Sequence, residues 1–157
     1  MRLRTLSMGA VVVAVIATST SCLVPNQHTL VGISAAHNTP AAIDTVTFAF
    51  EQGAPSGGSA RYVSIRPTTP TGKAVAVDGN AFIVVTMNVA VAHDLRGITT
   101  SPTVFYPTTT SNVMEVARFE DYQGHVGYVI GLRTGANPRV GVARSASAVV
   151  VSLSAPN

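Results

Sequence analysis

From Ile43 to the end of the chain, short β-branched runs recur, and each is cut off by a cluster of Gly, Pro, Asn or Asp. Runs of that length and punctuation are strands joined by turns. Residues 44–51 (DTVTFAFE) alternate, with Val46, Phe48 and Phe50 on one face. Residues 61–66 (RYVSIR) alternate again, with Val63 and Ile65 opposite Tyr62 and Ser64. Residues 74–77 and 81–87 flank Asp78-Gly79, a dipeptide that suits a hairpin turn. The second of these runs (AFIVVTM) is apolar on both faces and reads as a central strand. Residues 88–112 form the longest stretch without a strand pattern, and patterning returns at 113–119, 125–132, 139–144 and 147–153. In the 125–132 run, Val126, Tyr128, Ile130 and Leu132 share one face, which predicts a buried Tyr128. About eight strands with turns every ~8–12 residues predict an all-β, two-sheet antiparallel β-sandwich. The chain has no tryptophan, so the core must rest on Val, Ile, Leu and Phe.

The first 21 residues read differently. Arg2 and Arg4 precede an uncharged apolar run at 8–17, and small polar residues lead from there to Cys22. That order is the order of an export signal, and the run is shorter than the ~20 residues a bilayer span needs. Cys22 is the only cysteine, so no internal disulfide can form. The segment resembles a bacterial lipoprotein signal, in which a small-residue box precedes a cysteine that takes a diacylglyceryl group. Ser19 stands where such boxes usually carry Leu or Val. The expected organisation is a signal helix at 1–21, a lipidated N-terminus and flexible tether at 22–42, and one domain at 43–157. Without acylation, the same signal predicts a secreted protein.

Charge narrows the partners. Once Arg2 and Arg4 leave with the signal, 8 basic side chains face 7 acidic ones. A near-neutral chain with scattered arginines lacks the clustered patch that nucleic acid requires. Arginine outnumbers lysine nine to one, and Ala, Val, Gly and Thr abound. That usage hints at a GC-rich coding sequence such as an actinobacterial one.

Residues 43–154 resemble the AMIN-like domain of actinobacterial secreted proteins and lipoproteins. The resemblance rests on DTVTF at 44–48, GNAFI at 79–83, AHD at 92–94 and NVMEV at 112–116. Phe119-Glu120, Gly131-Leu132 and the valines at 149–151 extend it, in order, along the domain. It implies a β-sandwich of two sheets. The related AMIN domain directs periplasmic amidases and secretin components to the cell wall, so the resemblance implies a location and a class of partner rather than an activity.

No established catalytic motif is present: neither Gly-x-Ser-x-Gly, Ser-x-x-Lys, His-Glu-x-x-His nor a P-loop occurs. The richest polar constellation is His93 and Asp94 in the long loop, with Arg118, Glu120, Asp121, Tyr122 and His125 around a later turn. His93, Asp94, Arg118, Tyr122 and His125 are therefore the candidate binding residues. Rings and Arg–carboxylate pairs suit a glycan, and the small face at Gly127 and Gly131 would admit a close approach. His93 and Asp94 are equally suited to capping a turn. Their spacing fits no standard metal signature, and no cofactor is expected. The expectation is a non-enzymatic, membrane-anchored envelope lipoprotein that binds a peptidoglycan-type polymer or an envelope protein. The alternatives are a structural accessory acting through protein contacts and a metal-dependent enzyme at His93, Asp94 and His125.

Overall fold

The computed structural model describes residues 27–155. The signal segment, Cys22 and the first part of the expected tether lie outside the described residues. Ten strands form two five-stranded sheets. One sheet has the order β5(Ala90–Val91), β1(His28–Asn38), β2(Ile43–Glu51), β10(Ala148–Ser154), β9(Arg139–Arg144). The other has the order β3(Gly57–Val63), β4(Ala81–Asn88), β8(His125–Leu132), β7(Val113–Tyr122), β6(Val104–Phe105). All neighbours pair antiparallel except β1 and β5, which run parallel.

The core lies where the inward faces meet. Val46, Phe48 and Phe50 of β2 face Ile83, Val85 and Met87 of β4 and Val126, Tyr128, Ile130 and Leu132 of β8. Phe48 and Tyr128 bridge the sheets with ring centroids 5.3 Å apart and planes tilted by 49°. Each such side chain contributes roughly 1.5–3 kcal/mol when fully removed from water. Strand alternation in residues 44–51 therefore sets the register, because a one-residue slip would turn the whole apolar set outward.

Three expectations are corrected. Residues 28–42, read as tether, are part of the domain: β1 pairs along its length with β2. Its pattern was hidden because only Leu30 is fully buried and the pairing shifts register between Leu30 and Gly32. Residues 74–77 form no strand, and Asp78-Gly79 is no hairpin turn. Instead, residues 64–80 lie as a strap over the outer face of the second sheet. Val75 and Val77 pack there on Phe82, Ala117 and Val129, a second small core. The Arg66 guanidinium stacks 5.3 Å from the Phe82 centroid and donates to the carbonyls of Val75 and Val77. It thus supplies the donors that a neighbouring strand would have provided. Finally, the 61–66 run stops being strand after Val63, and Ile65 is left 80% exposed.

The alternation also places Asp44 on the inward face of β2, 2% exposed. A carboxylate there must be hydrogen-bonded to be tolerated. It accepts from the backbone N–H groups of Ser111 (3.0 Å), Asn112 (2.6 Å) and Val113 (3.2 Å), and lies 2.7 Å from His37 Nδ1. Asp44 so fastens the first sheet to the segment entering β7 of the second.

Candidate functional site

The 88–112 stretch contains β5 and β6 and, between them, a small hairpin. The N–H of Asp94 donates to the Ile98 carbonyl, that of Thr100 to the Ala92 carbonyl, and His93 bridges Thr99. Asp94 shapes the tip: its carboxylate accepts from the backbone N–H groups of Arg96 (2.8 Å) and Ile98 (2.9 Å) and pairs with the Arg96 guanidinium (2.9 Å). The Ile98 N–H, with Arg96, holds the Asp94 carboxyl below the usual carboxylate range. This is the turn-capping role.

His93 and Arg118 converge on Asp121 of β7. His93 Nδ1 lies 2.9 Å from one Asp121 oxygen, and Arg118 lies 3.4 Å from the same oxygen. The other oxygen accepts the Ala92 N–H at 3.0 Å. Arg118 also donates to the Ala92 carbonyl and to Thr99. Through these contacts with one another and with backbone, the three residues clasp the hairpin to β7. Below the clasp, Ser101 and the Pro102 carbonyl bond the Tyr128 hydroxyl at 3.1 and 2.9 Å. Burial pushes the Tyr128 phenol up, and the Ser101 hydrogen bond pulls the other way.

The remaining candidates sit apart from the clasp. His125 bonds Asn88 at 3.1 Å across the β4–β8 pair, and exposed Tyr122 accepts from Gln123 in the β7–β8 turn. The five predicted residues therefore do not share one cleft. Among the described residues, no three His, Cys, Asp or Glu side chains group as a metal would require. The small face of β8 is also closed. A Cβ on Gly127 would lie 2.5 Å from the Phe119 ring, and one on Gly131 would overlap the Asp78 carbonyl. Those glycines admit the protein's own Phe119 and strap, so no ligand approaches there.

Two wide grooves lie among the described residues, besides a smaller one at the opposite pole beside Ala42 and Ser154. One, of about 700 Å³, runs beside the hairpin between His93, Asp94, Leu95, Gln27, Glu51 and Gln52. The other, of about 720 Å³, lies on the outer face of β3 and β4, where the strap leaves the sheet. Arg61, Ile65, Arg66, Phe119 and Glu120 line it, with the hydroxyls of Ser59 and Thr86 3.1 Å apart on its floor. Arg61 has no ion pair among the described residues. Sequence reasoning missed this groove. The alternation of 61–66 hinted at it by placing Arg61 on the face opposite Tyr62, but the strap that walls it is a tertiary feature.

No curated protein and no solved structure matches this chain. A family model does: the AMIN-like domain matches residues 28–155, which begins with β1 and ends just past β10. The chain belongs to the AMIN-like domain family.

Proposed function

We propose that this protein is exported, anchored at the outer face of the cytoplasmic membrane through a diacylglyceryl group on Cys22, and binds a peptidoglycan-type wall polymer without catalysing a reaction. The family match over residues 28–155 carries the reading, because the AMIN-like family suggests an envelope-related binding role. The charged, apolar and small-residue zones before Cys22 support export. The arginine-rich, lysine-poor residue usage supports an actinobacterial origin.

The binding surface we assign is the groove on β3 and β4. An arginine fork matches a carboxylate bidentately, and peptidoglycan-type polymers carry carboxylates on their peptide stems. Arg61 supplies that fork, Ser59 and Thr86 supply hydroxyls for sugar hydroxyls, and Ile65 and Phe119 supply apolar surface for a sugar face. Sedimentation of the purified chain with isolated cell wall tests the reading. Recovery well above that of an unrelated exported β-sandwich is expected, and equal recovery refutes wall binding.

One observation favours a second reading. Among the described residues β9 pairs only with β10, so one edge of the first sheet is open, and Val142 is exposed on it. A protein partner could add a strand there. Envelope crosslinking that recovers one recurrent protein, with no wall affinity, would favour this accessory role.

A further inference from the structure

We propose that the domain docks on the lipid surface through the pole at which the chain enters it, using Val89, Leu95 and Tyr122. This rests on the reading of Cys22 as the anchor. Gln27, the first described residue, is five positions beyond Cys22. Five residues span at most about 18 Å at full extension. The far pole, where Ser154 pairs with Ile43, lies a whole strand away. Nine residues of β2 put it roughly 30 Å from the near pole at ~3.3 Å per residue. An anchored domain therefore cannot invert. The near pole stays within reach of the bilayer, and the far pole is held off it.

The near pole carries exposed apolar side chains. The His28 N–H bonds the Val89 carbonyl at 3.0 Å, and the Ala90 N–H bonds the Gly124 carbonyl at 3.0 Å. A Cβ built on Gly124 would lie 3.4 Å from Gln27 Nε2 and 4.0 Å from the Val89 Cα. Val89 and the turn bearing Tyr122 thus adjoin the point of entry. Leu95 shares the hairpin groove with Gln27 and Gln52. Leu95 is 96% exposed, Tyr122 67% and Val89 46%. Val89 also adopts φ 58°, a conformation that strains a β-branched residue. This valine is strained, nearly half exposed, and part of neither apolar core.

Docking needs little intrinsic affinity. A short tether holds the pole at an effective concentration in the millimolar range. Leucine and valine gain by entering the apolar layer, and tyrosine suits the headgroup level. Arg96 is already paired with Asp94, and Arg118 with Asp121, so contact strands neither arginine without a partner. The β3–β4 groove lies on the outer face of the second sheet and runs from Ser59 and Thr86 along β3 toward Val63 and the strap, away from the near pole.

The chain has no tryptophan and a single cysteine, which makes the test direct. The mature chain from Cys22 onward is coupled through that thiol to maleimide lipid in phosphatidylglycerol–phosphatidylethanolamine vesicles. One reporter is L95W. The other is A136W, at the far pole beside Ala42 and Ser154. Brominated lipids should quench L95W several-fold more than A136W, and adding Val89→Asp should remove most of that difference. Equal quenching of the two reporters, in protein that floats with the vesicles, overturns the docking. Mass spectrometry of the native membrane fraction separately tests the anchor. An unmodified Cys22 there refutes the anchor reading, whatever the vesicles show.

Discussion

Replacing Asp44 by alanine removes the acceptor for three backbone N–H groups at the junction of the two sheets. Each buried donor left unpaired costs about 1–3 kcal/mol. Water entering at the rim recovers part of that, so the expected loss is about 3–5 kcal/mol. For a domain of this size that lowers Tm by roughly 10–20 °C. Asp44→Asn keeps the shape and one acceptor but turns an amide NH₂ toward donors, and should lose about 2 kcal/mol. The pH dependence follows from the same contacts. Burial pushes the Asp44 carboxyl up, but the N–H groups of Ser111, Asn112 and Val113, with His37, outweigh it and hold the group below its ordinary range. A carboxyl depressed in the folded state stabilises fully above its unfolded pKa of about 4, and that contribution is lost as pH falls through the folded value. The gap between wild type and D44A should therefore be widest near neutrality and narrow below about pH 4. Urea unfolding followed by far-UV circular dichroism reads both. A loss under about 1 kcal/mol at neutral pH, or a gap unchanged down to about pH 3, would refute the reasoning.

Three other substitutions test the packing. Gly131→Ala drives a methyl into the Asp78 carbonyl and should lift the strap, costing about 3 kcal/mol or more in urea unfolding. Tyr128→Phe leaves Ser101 and the Pro102 carbonyl without the phenol, and should lower stability by about 1–2 kcal/mol in thermal unfolding. Asp121→Ala opens the clasp. Hydrogen exchange should then accelerate in residues 92–100 while β2 and β4 stay protected.

How much was legible from residues alone follows from the range of the interactions. The 44–51 alternation and the doubly apolar 81–87 run gave β2 and β4 correctly, because period-two burial acts within one strand. β1 escaped, since its small residues and register shift blur that period, and β5 and β6 are too short to have one. Val75 and Val77 alternate as a strand would, yet Arg66 rather than a neighbouring strand takes up their carbonyls. The site was harder still. Asp94 as a turn cap was readable because its partners lie two and four residues away. The meeting of His93, Arg118 and Asp121 depends on how two distant segments fold together, and no local pattern encodes it. The same holds for the β3–β4 groove, whose wall is the strap.

The central claim is that this groove holds the wall polymer. Equilibrium binding to isolated cell wall, compared between wild type and Arg61→Glu, tests it most directly. Arg61 is exposed and has no ion pair among the described residues, so its loss should leave Tm unchanged. Replacing a fork by a like charge should weaken binding about tenfold or more, equivalent to about 1.4 kcal/mol. Wild-type affinity in R61E, at unchanged Tm, would contradict the account.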